Sequence, residues 1–384
     1  MAKRILLFTG KGGVGKTTCA AATAVRAAQS GLKTLVLSSD PAHSLADALG
    51  VELGAEPQEV APKLFAQEVD QYYSMKKYWG NLRNVLRTVF RWQGVEGLAA
   101  EELASLPGMA EASVLLWIDL FHHEADYDLI VVDSAPTGET LTLLSLPQIT
   151  QWWISKAFPF QKTALKTFGA LARSVTGIPV DYGVEELDAL FGKLERIQKV
   201  LADASITSIR LVANPERMVI NEAKRAYAYL QLYGYGVDAV VVNRILPKEL
   251  GWEKYLAAQT GYLQEITESF QPLPVLRVPH LGEEVFGMER LKTIADGLYG
   301  ETPPETVFHH ESTYRFEQDG EAYVLSIRLP MATQAQMDVR QFGDQLVIQL
   351  ANQRRNVPLP NFLGYYRCAS WALEDGWLRI RFVA

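Results

Sequence analysis

Chemistry concentrates first at Gly10-Lys11-Gly12-Gly13-Val14-Gly15-Lys16-Thr17-Thr18. Glycines without Cβ atoms let backbone N–H groups converge on phosphate oxygens, and a following helix adds its positive dipole end. Lys16 brings a charge to the β- and γ-phosphates, and the Thr17 hydroxyl is placed to hold Mg²⁺. The implied chemistry is handling of a nucleoside triphosphate. The plain alternative is an unliganded strand-to-helix turn, which the full G-x-x-x-x-G-K-T spacing argues against. Lys11 is left over by this scheme: it either serves phosphate or points to solvent.

Such a loop needs a strand before it and a helix after it. Arg4 to Thr9 reads as the strand and Lys16 to Gln29 as the helix. Further apolar runs, at Thr34 to Leu37, Leu129 to Val132, Ile209 to Val212, Ala239 to Val242 and Val275 to Val278, lack polar alternation and read as strands buried on both faces. Helical stretches separate most of them, so residues 1–302 are expected to be an α/β domain with a parallel sheet. Two intervals, Gln71 to Glu124 and Gln148 to Asp203, exceed any crossover and read as helical insertions. The first carries Tyr72, Tyr73, Met75, Tyr78, Trp79, Leu82, Val85, Leu86, Val89, Phe90 and Trp92 at near-helical spacing; the second carries Trp152, Trp153, Ile154, Phe158, Phe160, Leu165, Phe168 and Leu171. Either stripe suits a groove for an apolar helix or an ordinary core between helices. Around Pro303-Pro304 the period changes to two, giving a linker at 303–312 and a small all-β sandwich at 313–384, with glycine turns at Gly320, Gly343 and Gly376. Its strands are expected at Tyr314 to Phe316, Ala322 to Leu329, Met337 to Phe342, Gln345 to Leu350, Arg367 to Leu373 and Trp377 to Val383.

A net charge of −7 argues against bulk nucleic acid as a partner. Two distant cysteines, Cys19 and Cys368, allow neither a disulfide framework nor a four-thiolate zinc site, and fit a reducing compartment. No signal-peptide or membrane-spanning run is expected, which points to a cytoplasmic protein whose membrane contact, if any, is peripheral and through a client.

The loop's KGGVGKTT pattern, Lys11 to Thr18, resembles the deviant Walker A ATPases. Asp40-Pro41-Ala42-His43-Ser44-Leu45 and Asp133-Ser134-Ala135-Pro136-Thr137-Gly138-Glu139-Thr140-Leu141 are similar to the two switch segments of the ArsA family, the arsenite-pump and tail-anchored-protein-targeting ATPases. The resemblance implies ATP and Mg²⁺ as ligands, with Gly12, Gly13, Val14, Gly15, Lys16, Thr17 and Thr18 around the phosphates. It implies that Lys11 reaches the partner's ATP across a homodimer, and that Asp40, ending the second strand, polarises the attacking water. Asp133, ending the third strand, would support Mg²⁺ through water and link γ-phosphate loss to Pro136 to Leu141. As residues alone, Asp40 also reads as a helix cap and Asp133 as a strand-end turn. Asn214-Pro215-Glu216, Val241-Val242-Asn243 and Val278-Pro279-His280, followed by Glu283 to Gly287, match regions that hold the nucleoside, with Asn243, Pro279 and Phe286 as contacts and Glu216 contacting the nucleotide or the opposite subunit. Asn243 alone also reads as a strand end, and Glu216 as a helix start. His43 is expected to serve the switch without holding metal.

Two departures matter. Ile245 to Ile266 holds no cysteine, so the zinc clamp of the eukaryotic targeting ATPases is not expected, and arsenite stimulation is the less favoured activity. The tail, through Leu329-Pro330, Gly343 to Ile348, Arg354-Arg355, Leu359-Pro360 and Ala372 to Phe382, resembles an α-crystallin or small-heat-shock domain. No I-x-I segment follows, so large heat-shock oligomers are not expected. Together the resemblances imply a prokaryotic or plastid-type ATP-driven switch. Its clients would be hydrophobic helices such as tail-anchored proteins, the alternative being an ATP-regulated assembly or chaperone scaffold.

Overall fold

Ile5, Leu6, Leu7 and Phe8 are wholly buried, a pattern that only a central strand covered on both faces produces. In the computed structural model, which describes residues 3–40, 44–80, 109–146 and 180–384, they form β1 (Arg4–Thr9). Around it lie β2 (Thr34–Ser38), β3 (Gln58–Ala61), β4 (Leu64–Glu68), β5 (Leu129–Asp133), β6 (Thr207–Ala213), β7 (Val237–Ile245) and β8 (Val275–Pro279). The sheet has eight strands in the order β3-β4-β2-β5-β1-β6-β7-β8. The chain first places β2, β3 and β4 on one side of β1, returns to insert β5 between β2 and β1, and then adds β6, β7 and β8 in turn on the other side. That reversal opens a crevice at the carboxyl ends of the strands, where open α/β sheets bind ligands. The described helices are α1 (Lys16–Gln29), α2 (Ser44–Leu49), α3 (Met109–His123), α4 (Val180–Ala202), α5 (Arg217–Tyr233), α6 (Glu253–Ser269) and α7 (Gly287–Tyr299), with further helical residues at 71–80 and 137–146.

Two strands escape the apolar-run reading, and one makes the sheet mixed. β4 is buried but carries Gln67 and Glu68: Gln67 Nε2 donates to the Ala55 carbonyl, leaving Oε1 buried without a partner among the described residues, and Glu68 Oε1 accepts the Ala46 N–H. β3 is a polar edge strand paired antiparallel to β4. Asp133 therefore ends the fifth strand in chain order rather than the third.

At the root of the first insertion, residues 71–80 and α3 are joined by reciprocal bonds. Trp79 Nε1 donates to Ser113 Oγ and Trp117 Nε1 to Ser74 Oγ, both at 2.9 Å. Lys77 lies 3.9 Å from the centre of the Trp117 ring and pairs with Glu56 at 2.8 Å. Trp79 and Trp117 thus belong to the core, Trp79 contrary to its place in the groove reading, while Tyr72 is 90% exposed. The rest of that apolar stripe, from Leu82 to Trp92, and the second stripe, Trp152 to Leu171, lie outside the described residues.

The tail folds as β9 (Tyr314–Asp319), β10 (Ala322–Arg328), β11 (Met337–Phe342), β12 (Gln345–Leu350), β13 (Gln353–Pro358), β14 (Arg367–Glu374) and β15 (Trp377–Val383). β13, polar and half exposed, is a strand that alternation does not reveal. Antiparallel sheets of four strands, β14-β15-β10-β9, and three, β11-β12-β13, bury Leu325, Ile327, Leu346, Ile348, Leu378, Ile380 and Phe382. This sandwich docks on the end of α5. Tyr229 donates to Asn352 Oδ1 at 2.9 Å, Tyr233 donates to Gln353 Oε1 at 3.0 Å, and Tyr314 and Arg355 both reach the Leu232 carbonyl. Gly234 turns the chain with φ 88°, and a Cβ there would stand 3.1 Å from the Tyr314 ring.

The approach to the sandwich is clasped to the sheet. Arg210 on β6, fully buried, pairs with Asp238 on β7 at 3.3 Å and donates to Tyr299 Oη and to the carbonyls of Pro304 and Thr306. Arg4 donates to the Glu305 carbonyl and to Ser208 Oγ.

Candidate active site

The phosphate loop follows β1 directly, and two of its glycines are there because no Cβ fits. At Gly10 a Cβ would stand 2.2 Å from the Val212 carbonyl oxygen; at Gly15, whose φ is 95°, it would stand 2.1 Å from Asn243 Nδ2. Gly12 and Gly13 are exposed and Val14 is buried beneath them. Lys16 is buried at the start of α1, and its ammonium donates back to the Lys11 carbonyl at 3.5 Å. Lys11 is half-exposed at the loop's entrance.

Asp133 is the hub. It is wholly buried at the end of β5, where Oδ2 accepts from Thr17 Oγ1 at 2.8 Å and from Ser38 Oγ at 3.0 Å. Thr17 Oγ1 also lies 3.1 Å from Ser44 Oγ on α2. The other carboxylate oxygen, Oδ1, is buried with no hydrogen-bond partner among the described residues. Burial pushes this carboxyl up to about 6, against the pull of the Thr17 and Ser38 hydroxyls and of Lys16; Asp40 raises it further. An anion held out of water with one unsatisfied oxygen, beside a threonine hydroxyl and a phosphate loop, has the donor chemistry for a hard divalent cation. The residues present fit Mg²⁺: Thr17 would hold it directly and Asp133 through water.

Asp40, half-exposed, sits at the end of the segment after β2, and its backbone N–H donates to Ser38 Oγ at 3.3 Å. Ser38 therefore touches both expected carboxylate sites, a role that sequence reasoning missed; its only signal was adjacency in Ser38-Ser39-Asp40. Ser39 Oγ, next to the first switch, is tied to the second, accepting the Ala135 N–H and donating to the Asp133 carbonyl, both at 3.3 Å. His43 lies outside the described residues. Thr9 Oγ1, just before the loop, and Thr137 Oγ1, within the second switch, are likewise buried without partners among the described residues.

The family profile described as anion-transporting ATPase matches residues 3–300. The chain belongs to this family. A second profile, an HSP20-like domain found in ArsA, matches residues 320–382 and accounts for the sandwich. An arsenical pump-driving ATPase, provisionally so named, from Chlorobaculum tepidum is 40% identical over 99% of this chain and 96% of its own length. A similarly named protein of Aquifex aeolicus is 36% identical over 94% of this chain and 95% of its own length. ATPase get3 of Aspergillus niger is 30% identical over 79% of this chain and 92% of its own length. The protein is an ATPase.

Beyond its phosphate loop the ATPase has a cleft of about 470 Å³, lined by Thr18, Asn243, Arg244, Pro279 to Val285 and Ile294. β7, β8 and α1 bring Asn243, Pro279 and Thr18 together here from widely separated parts of the chain. Asn243 is buried; Nδ2 donates to the Val14 carbonyl at 2.9 Å and Oδ1 accepts the Arg244 N–H at 2.9 Å. Its amide thus braces the phosphate loop, with one N–H and one lone pair left for a ligand. Phe286 does not line this cleft: it is 62% exposed and lies over Gly50, where a Cβ would stand 3.2 Å from its ring. Glu216 is exposed at the residue preceding α5, with no side-chain cap bond, and does not line the cleft either.

No helix among the described residues is long and apolar enough to cross a membrane.

Proposed function

We propose that this ATPase is a homodimeric switch that binds hydrophobic helical clients, tail-anchored membrane proteins among them, and releases them as ATP is hydrolysed. The reading is supported by one observation: the second switch, with Ser39 next to the first, meets the root of the first insertion around a cavity of about 60 Å³. Ser39, which immediately precedes the first switch, and Ala135, Glu139 and Thr140 of the second, with Leu143 just beyond it, stand against Val69 and Gln71 below the insertion and Glu111 and Val114 of α3. A change at the second switch is therefore felt at the stapled base of the first insertion.

At the phosphates, the loop N–H groups and Lys16 neutralise oxygens of ATP, and Asp40 orients and polarises the attacking water. Thr17, directly, and Asp133, through water, would hold Mg²⁺, which would supply charge neutralisation at the phosphates. Lys11 of one copy reaches the ATP of the second copy, so hydrolysis requires closure of the dimer. Asn243, Pro279 and the adjoining loop take the nucleoside, with Glu216 and Phe286 contacting it or the opposite subunit once closed. The relative ATPase get3 supports this reading at 30% identity.

A metalloid-stimulated reading is favoured by the relatives' arsenical names, but the thiols oppose it. Cys19 is fully buried within α1 and burial pushes its thiol up to about 12, which removes the thiolate that soft metalloids bind. Cys368 lies far off on β14.

The deciding experiment co-expresses Asp40→Asn with a reporter bearing a tail-anchor helix. With ATP, a dimer carrying the reporter is expected by light scattering, and with ADP the reporter is released. A monomer in every nucleotide state, or reporter binding that ignores nucleotide, overturns the proposal. Arsenite stimulation of turnover that survives in wild type and disappears in the double variant Cys19→Ser, Cys368→Ser would install the metalloid reading instead.

A further inference from the structure

The penultimate residue of β7 is held against its backbone preference. Arg244 has φ 57°, the left-handed region that a side-chain-bearing residue adopts only when its surroundings impose it. The pairing register of β7 with β8 shifts between Val242 and Ile245. Asn243 Oδ1 accepts the Arg244 N–H, so the side chain that braces the phosphate loop also fixes this twist.

The consequence is a cation on the wall of the 470 Å³ cleft. Of the carboxylates there, Glu283 is committed to Arg290 at 2.8 Å, and Arg244 forms no ion pair among the described residues. Pro279, Leu281 and Val285 give the same cleft an apolar lining. A planar, weakly hydrated guanidinium beside apolar surface suits a flat heteroaromatic ring, which it grips by stacking and cation–π attraction. The Asn243 bond that imposes the left-handed backbone at Arg244 fixes where its side chain leaves the strand, on the wall of this cleft.

We propose that Arg244 is a nucleobase-binding residue whose guanidinium stacks on the purine ring of ATP and contributes base affinity rather than phosphate affinity. This rests on placing the nucleoside in the cleft behind Asn243. Arg244→Ala raises the KM for ATP about tenfold. Its kcat stays within about twofold, because the contact is remote from the transferred phosphate. Arg244→Lys behaves like Arg244→Ala, since an ammonium has no plane to stack, and competition by inorganic tripolyphosphate is unchanged in both. Arg244→Gly relieves the left-handed backbone, so its Tm equals or exceeds that of the wild type while its KM rises as in Arg244→Ala.

An unchanged KM in Arg244→Ala overturns the proposal. So does a wild-type KM in Arg244→Lys, or weaker tripolyphosphate competition in Arg244→Ala, either of which makes Arg244 a phosphate cation. A lower Tm in Arg244→Gly makes its role structural. Photolabelling with 8-azido-ATP separates the two layers. Label within residues 279–285 with an unchanged KM removes Arg244 alone, whereas label confined elsewhere removes the cleft assignment and Arg244 with it.

Discussion

Two charged residues lie fully buried in the same sheet, and they are treated in opposite ways. Arg210, on β6, is satisfied on every side by Asp238, Tyr299 and the carbonyls of Pro304 and Thr306, with the Phe308 ring centre 4.9 Å from its guanidinium carbon. Asp133, on β5, has one oxygen bonded twice and the other not at all among the described residues. A buried charge without full compensation is costly, so it persists where a ligand completes it; a compensated one does structural work. The contrast separates a clasp from an active site without reference to any motif.

The largest effect that would break this comparison is on the clasp. Arg210→Met strands Asp238 in the core and releases Pro304 and Thr306, and is expected to lower the unfolding free energy by about 3–5 kcal/mol. Denaturant titration measures it, and the KM for ATP of the folded variant should not change. Adding Asp238→Leu removes the stranded charge and should recover part of the loss. A loss below about 1 kcal/mol would show that the clasp contributes little.

Asp133→Asn should do the reverse. Its folded carboxyl sits at about 6, above the ordinary value of 3.8, so the ligand-free fold favours the protonated form. The associated stability is fully present below about pH 4 and is lost as pH rises through about 6. At pH 8 Asp133→Asn is therefore expected to stabilise the nucleotide-free protein by about 1–3 kcal/mol while cutting turnover by at least about a hundredfold. In the wild type the Mg²⁺ concentration for half-maximal turnover should climb as pH falls below about 6, because protons then compete with the cation. Destabilisation of the ligand-free variant at pH 8 would contradict the assignment of Asp133 as an unsatisfied anion.

Ser38→Ala tests the smallest difference. It removes one of the two hydroxyls donating to Asp133, which costs the ionised form about 1 kcal/mol and moves that pH midpoint upward by somewhat under one unit. It also frees the Asp40 backbone, so kcat should fall more than KM rises. No shift in the midpoint would mean that Thr17 alone sets the state of Asp133.

The phosphate end of the site was legible in the sequence because it is local. Gly10 to Thr18 is one contiguous turn whose backbone geometry follows from glycine placement, and strand and helix follow from patterning on either side. The buried strands and the shift to alternating residues after Pro304 are visible for the same reason: burial on two faces or on one leaves a periodic trace. β3, β4 and β13 leave none, since Gln67 and Glu68 are polar yet buried, each bonded to the backbone of another segment, and the other two strands are edges.

Tertiary structure alone decided the rest. Ser38 became a bridge between Asp133 and Asp40, and Asn243 the brace under Val14, because parallel strands place residues nearly a hundred and more than two hundred positions apart in contact at one end of the sheet. Trp79 entered the core because Ser113, on a different helix, met its indole N–H; helical spacing could not distinguish that neighbour from a client. Sequence fixes what each segment prefers. Which buried charge ends up satisfied and which is left open depends on contacts between segments, and periodicity within one segment carries no record of them.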